Sequence, residues 1–295
     1  MKNEKIIFYI LMGLAMTSWG SSWVSAKVLS NYITAQELIF YRYFITSITM
    51  VPILIYFKES FKVDLKSFIL IVVAAIFLVG YSMVFFLGTK YGTAGVGGAF
   101  VTTLAPIVTF ILLALFFGKE VKIKDFIALF LGAIGVMTIL NIWSYELKEI
   151  LTKANLYFVL AAISWPLLTI TSSKSKKIKA IVFSFYMYIV TTILGFVLTS
   201  FPSGNILEFD MIFWINLINI SVVSTTFATS IYFIAITKLG TNEASSFIFL
   251  VPFNVVFLSN IFLDEPIYIT TILGTILTIT AVSILNNIKP KFLSK

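Results

Sequence analysis

Residues Lys90–Glu120 read KYGTAGVGGAFVTTLAPIVTFILLALFFGKE: a short polar turn, an apolar run with Pro106 at its middle, and the charged stop Lys119-Glu120. The same arrangement returns at Lys238–Glu265, KLGTNEASSFIFLVPFNVVFLSNIFLDE. Lys90, Gly92 and Thr93 correspond to Lys238, Gly240 and Thr241, Pro106 to Pro252, and Glu120 to Glu265. A membrane-length unit written twice marks the chain as a doubled object, and the function is to be sought in the doubling.

Working outward, composition fixes the solvent. Hydrophobic residues make up 59% of the chain and charged ones 12%, against about a quarter charged in a water-soluble domain, so the partner of the surface is the lipid bilayer. Cysteine and histidine are both absent. Their absence removes disulfides, thiolate and imidazole metal ligation, cysteine nucleophiles and the usual neutral-pH proton shuttle. No catalytic residue, cofactor or metal site is expected. The net charge of +8 would suggest nucleic acid in a soluble protein. Here the lysines lie between apolar runs, where they set topology, and no nucleic acid is implied. Gly118-Lys119 follows an apolar helix and precedes Glu120, so it is no phosphate-binding loop.

Stretches of about 20 apolar residues cross roughly 30 Å of hydrocarbon as helices. Ten are expected, at about 6–26, 34–57, 67–88, 93–117, 125–142, 155–172, 180–201, 211–237, 242–262 and 268–287. The first lacks a small-residue cleavage site followed by a soluble domain, and reads as a retained helix. Counting alternate connections, sixteen lysines fall on one side and four (Lys27, Lys90, Lys148, Lys153) on the other. The positive-inside bias then places both termini in the cytoplasm.

Further correspondences complete the repeat. Ser18-Trp19-Gly20 answers to Ser164-Trp165-Pro166, Phe40-Tyr41-Arg42-Tyr43 to Phe185-Tyr186-Met187-Tyr188, and Leu131-Gly132 to Leu273-Gly274, at offsets of 142 to 148 residues. Five successive helices are duplicated, as residues 1–143 and 144–295. An odd number per copy inserts the second copy upside down. The expected fold is an all-α polytopic membrane protein of ten transmembrane helices in two inverted five-helix repeats.

These pieces resemble the EamA-like branch of the drug/metabolite transporter superfamily. The likeness rests on Trp19-Gly20 with Lys27, Tyr41-Arg42-Tyr43, Leu87-Gly88-Thr89-Lys90-Tyr91, Pro106 with Gly118-Lys119-Glu120, and Leu131-Gly132-Ala133-Ile134-Gly135. It implies a ten-helix carrier of the bacterial cytoplasmic membrane, exporting amino acids, related metabolites or amphipathic drugs. The second copy carries Pro166 for Gly20 and Met187 for Arg42.

Candidate substrate-binding residues are Trp19, Tyr41, Arg42, Tyr43, Thr102, Pro106, Trp165, Asn216, Asn219 and Pro252. Arg42 is the sole arginine, and a charge at membrane depth costs at least ~2.5–3.5 kcal/mol unless it finds water or a partner. It faces a cavity where it can fork onto a carboxylate, snorkels to headgroups, or pairs with Glu37. Lys27 is expected to snorkel. Trp19, Trp23 and Lys27 share one face of the first helix, Trp19 suiting a cavity and Trp23 an interfacial aromatic belt. Pro106 and Pro252, placed mid-helix, suggest paired kinks. Gly95, Ala99, Thr102 and Pro106 share a face that lines a cavity or a tight helix contact. Asn216, Asn219, Thr226 and Ser230 form a polar stripe on the eighth helix that should turn inward.

No Asp or Glu lies at the centre of a span, so facilitated diffusion or exchange is expected ahead of proton coupling. The resulting expectation is a secondary transporter exporting small organic solutes, amino acids or related metabolites, by alternating access. The alternatives are efflux of amphipathic or cationic drugs and, from another class, a channel-like or structural membrane protein. Monomer and homodimer stay open.

Overall fold

The computed structural model describes residues 2–118, 120–142, 151–175, 177–199, 206–239, 244 and 247–285. The first seven helices are α1 (Lys2–Leu29), α2 (Ala35–Tyr56), α3 (Leu65–Tyr91), α4 (Ala94–Phe117), α5 (Ile123–Ile139), α6 (Lys153–Ser173) and α7 (Ala180–Thr199). Helix α8 begins as Met211–Ile218, passes through a π-helical stretch Asn219–Phe227 and resumes as Ala228–Leu239. Helices α9 (Val251–Leu263) and α10 (Ile269–Leu285) complete the set, and among the described residues there is no strand. Among the described residues seven helices are long and apolar enough to cross a membrane, while α5 and α10, at 17 residues each, sit at the short limit for a span.

Local chemistry sets the helix ends. Thr34 and Glu37 form a reciprocal capping box at the start of α2, and the carboxylate of Asp210 accepts from the Phe213 N–H at the start of α8. These side chains satisfy backbone donors that the first turn leaves without partners. Gly118 (φ 66°) stops α4 in the left-handed conformation, where glycine avoids the Cβ clash.

Most of the packing runs between the two halves. Three pairs, α2 with α7, α4 with α9 and α5 with α10, join equivalent helices. The remaining major contacts come as inverted couples: α3 against α6 mirrors α8 against α1, and α1 against α9 mirrors α6 against α4. This is the contact pattern of two five-helix repeats related by a pseudo-two-fold axis, which in a membrane lies in its plane. Small residues permit the closest crossings. A Cβ built on Gly274 of α10 would lie 2.5 Å from the Gly135 carbonyl oxygen of α5, and one on Gly20 of α1 would lie 2.8 Å from Asn254 Cβ of α9.

Both ends of the bundle are tied across the repeats. At the end carrying the α1–α2, α3–α4, α7–α8 and α9–α10 turns, the Tyr32 hydroxyl donates to Asp210 at 3.0 Å. At the opposite end, Lys179 Nζ lies 2.9 Å from Glu59 Oε1 and the Tyr186 hydroxyl donates to the Phe61 carbonyl at 2.7 Å.

The second proline departs from expectation. Pro106 lies inside α4, whereas Pro252 occupies the first turn of α9, after a short 3-10 turn Phe247–Leu250. A first-turn proline lacks only an N–H that has no helical partner anyway, so it opens a helix and need not bend one. The loop 143–150 and the chain ends fall outside the described residues.

Candidate solute-binding site

The geometry centres on Arg42 in α2. Its Nε and Nη2 donate to one hydroxyl, Thr225 Oγ1, at 3.2 and 3.1 Å, and the guanidinium carbon stands 5.2 Å from the Tyr43 ring centre and 5.9 Å from that of Phe86. Among the described residues no carboxylate pairs with it. Glu37 is occupied by the backbone and hydroxyl of Thr34, both at 2.9 Å, so the packing pair with Glu37 is not formed. A half-buried guanidinium thus has donors left over, an arrangement suited to a carboxylate.

Thr225 belongs to the π-helical stretch of α8, which acts as a polar hub. Widening the turn from i→i−4 to i→i−5 changes which carbonyls are in reach. The Thr225 and Thr226 hydroxyls donate to the carbonyls five residues back, Ile220 at 2.7 Å and Ser221 at 3.2 Å. Neighbouring helices bind here as well. The Thr46 hydroxyl of α2 reaches the Ser221 carbonyl at 2.9 Å, Thr49 and Thr226 hydroxyls meet at 2.6 Å, and the Ser224 hydroxyl donates to the Ser18 carbonyl of α1. Asn219 Nδ2 donates to Ser21 Oγ at 3.0 Å and Ser25 Oγ at 2.8 Å. The hub locks α1, α2 and α8 together and supplies the hydroxyl that holds Arg42.

The other candidates divide. Tyr43 is buried, stacked 5.4 Å from Tyr188 with its hydroxyl 2.9 Å from Ser82 Oγ, so it forms the wall behind Arg42. Tyr41 packs on Phe40, ring centres 5.1 Å apart. Trp19 lies 5.3 Å from Tyr232. Trp165 lies 4.9 Å from Tyr81 and is 41% exposed. Thr102, Pro106 and Pro252 come together with Phe249, Ile279 and Val282 around a small, largely filled crevice. Asn216 is set apart: its amide donates to the Ile212 carbonyl of its own helix at 2.9 Å. Ser230 is buried and its hydroxyl has no partner among the described residues.

Two expectations for α1 are corrected. Trp23 is 3% exposed and packs edge-on against Phe85 at 4.5 Å, so it belongs to the core and not to an interfacial belt. Lys27 turns inward. Its Nζ donates to the carbonyls of Lys90 at 3.2 Å and Gly92 at 2.8 Å, because the C-terminal end of α3 offers free carbonyls and the negative end of a helix dipole within reach.

The model of the EamA-like transporter family matches residues 6–141 and again residues 152–287. The chain belongs to the EamA-like transporter family. Among similar proteins, the S-adenosylmethionine uptake transporter of Rickettsia bellii is 27% identical over 189 residues, covering 62% of this chain and 61% of that protein. Its Rickettsia conorii counterpart is 28% identical over 62% of this chain and 60% of its own length, so the match spans less than two thirds of these relatives. An uncharacterised transporter of Archaeoglobus fulgidus is 25% identical across 94% of this chain and 97% of its own. A solved crystal structure superposes with a TM-score of 0.64 at 12% identity, over 97% of this chain and 98% of that one, a likeness of fold. Family and relatives are those of a transporter, not an enzyme.

The EamA-like chain also uses residues that its sequence did not single out. Thr225, Ser224 and Thr46 build the hub, and hydroxyls scattered through apolar helices carry no spacing signal of their own. The stripe of Asn219 and Thr226 pointed to the right helix, but its π turn has no signature in residue types.

Proposed function

We propose that this EamA-like transporter is a carrier for a small amino-acid-derived solute bearing a carboxylate beside a planar or cationic group. The observation that supports the reading is Arg42: a lone arginine at membrane depth, held by a neutral hydroxyl, with no carboxylate partner among the described residues and with aromatic faces beside it. A guanidinium without a counter-ion is costly inside a bilayer, and a solute carboxylate offsets that cost. Aromatic rings such as Tyr43 suit a cationic or planar neighbour on the same solute. S-adenosylmethionine, the solute in the names of the Rickettsia relatives, combines those groups. With no acidic residue at mid-span, net flux follows the solute gradients, so export and uptake are the same cycle run under different loads. The lysine asymmetry supports both termini on the cytoplasmic side, and membership of the family supports a bacterial cytoplasmic membrane and residues 1–143 and 144–295 as the two halves of the carrier.

The test is thermal-shift titration of the purified protein with S-adenosylmethionine, methionine and decarboxylated S-adenosylmethionine, since a ligand of the folded form alone raises apparent stability. The carboxylate-bearing solutes should stabilise the protein, and Arg42→Ala should abolish the shift. Equal stabilisation by the decarboxylated compound, or an unchanged shift in Arg42→Ala, would overturn the assignment.

A further inference from the structure

Helix α6 is exposed on two opposite sides, and lipid accounts for only one of them. Leu156, Leu160 and Ile163, spaced i, i+4, i+7, form an exposed stripe, the outward face of a membrane helix. At about 100° per residue, Trp165 points half a turn away from that stripe, to the side of Phe158, Ala161 and Ala162, which are 1% exposed or less. It is nevertheless 41% exposed, as much as Leu160 at 40%, and Thr169, one turn on, is exposed as well. Helix α2 repeats the pattern. Phe44, Ile48, Val51 and Ile55 make its outward stripe, while Arg42, Thr49 and Ile53 stay partly exposed on the opposite side. Among the described residues α2 and α6 both pack on α3 and make no major contact with each other. The space between them is an open vestibule, running toward the ends of α2 and α6 near Lys58 and Lys174. The α3–α4 end is closed instead: the Glu265 carboxylate accepts from the Ala94 and Gly95 N–H groups at 2.7 Å, beside Lys27 on the carbonyls that end α3.

Across this vestibule one residue, Tyr81 of α3, joins Arg42 to Trp165. Tyr81 lies within electrostatic reach of Arg42, stacks on Phe85 with ring centres 5.8 Å apart, and holds the Trp165 ring 4.9 Å away. Phe85 is fixed in turn by Trp23, edge-on at 4.5 Å. The indole is thus supported from behind while much of its surface stays free, and a ring presented in this way takes a planar or cationic group. We propose that Trp165, seated on Tyr81, is the second half of the solute site. It stacks the planar or cationic end of a solute whose carboxylate Arg42 holds, and so selects an elongated amino-acid derivative over a free amino acid. The inference rests on the Arg42 reading and adds to it the residue that sets the length and the far end of the solute.

Two measurements separate placement from recognition. The chain has no cysteine, so one introduced thiol reports alone. In proteoliposomes with a charged, membrane-impermeant maleimide supplied on both sides, Trp165→Cys should label at least about tenfold faster than Leu160→Cys, since only a hydrated thiol ionises and reacts. Equal rates would put Trp165 in lipid and overturn the proposal. Thermal-shift titration reads recognition. Trp165→Ala should weaken S-adenosylmethionine about tenfold or more, the scale of one aromatic stack, and leave methionine within about twofold. Trp165→Phe should restore most of the lost affinity. S-adenosylmethionine unaffected by Trp165→Ala, or both solutes weakened alike, would overturn the proposal. Arg42→Ala should lose both solutes. Loss of both there with Trp165→Ala silent removes the aromatic platform alone, whereas wild-type protein that binds neither solute removes the Arg42 assignment with it.

Discussion

Arg42 shows how little context a decisive residue needs and how much its role depends on that context. As the one arginine in a hydrophobic chain it stands out from the sequence alone, yet cavity, headgroup and ion-pair readings are equally compatible with its position. The structure removes Glu37 as a partner and supplies Thr225. The planar fork should matter as well as the charge: Arg42→Lys is expected to weaken solute binding about tenfold or more, in line with loss of one arm of a charged hydrogen-bond pair, as read by the same thermal-shift titration. Thr225→Val should weaken it too, while Thr225→Ser keeps the hydroxyl and the affinity. At the opposite end of the bundle, Asp64 is held below the ordinary aspartate value, first by the Ser67 hydroxyl, which donates at 2.6 Å, then by the Ser67 backbone N–H, and after these by Lys177 at 3.8 Å. A depressed carboxylate contributes stability that is present above its unfolded value and lost as pH falls through its folded one. Melting temperature should therefore decline below about pH 4, and Asp64→Asn should flatten that acid limb.

Among the elements, the spans were legible because a bilayer allows few ways to satisfy a backbone, and apolar runs of membrane length leave helix as the outcome. What the sequence did not reveal are the local departures: the π-helical stretch of α8 and the 3-10 turn Phe247–Leu250 that leads into α9. Both depend on which carbonyls find hydroxyl or helix-end partners, a property of packing and not of residue pattern. Lys27 was misread for the same reason, since the carbonyls that draw it inward belong to a helix more than sixty residues away in sequence. The glycines of α5 and α10 belong to this scale. Gly274→Ala would drive a methyl toward the backbone of Gly135 and Ile139, at 2.5 and 2.6 Å, where neither atom can step aside. It is expected to destabilise the protein by about 1–3 kcal/mol, the usual cost of overpacking, measured as a lowered melting temperature, with Gly13→Ala, which meets nothing within 4 Å, as the control that should not.

Across the whole molecule, duplication carries the account. Two stretches with matching landmarks led to ten helices in inverted halves, and the major helix contacts fall into self-paired or mirrored couples, as that symmetry requires. The symmetry is not exact in chemistry: Arg42 answers to Met187 in the second copy. An object of this kind is a carrier that presents one site to two sides in turn, and counterflow reads that behaviour most directly. In proteoliposomes holding the purified protein, entry of labelled S-adenosylmethionine should saturate and should accelerate when unlabelled solute is loaded inside. Entry that rises linearly with concentration and ignores the internal solute would contradict alternating access.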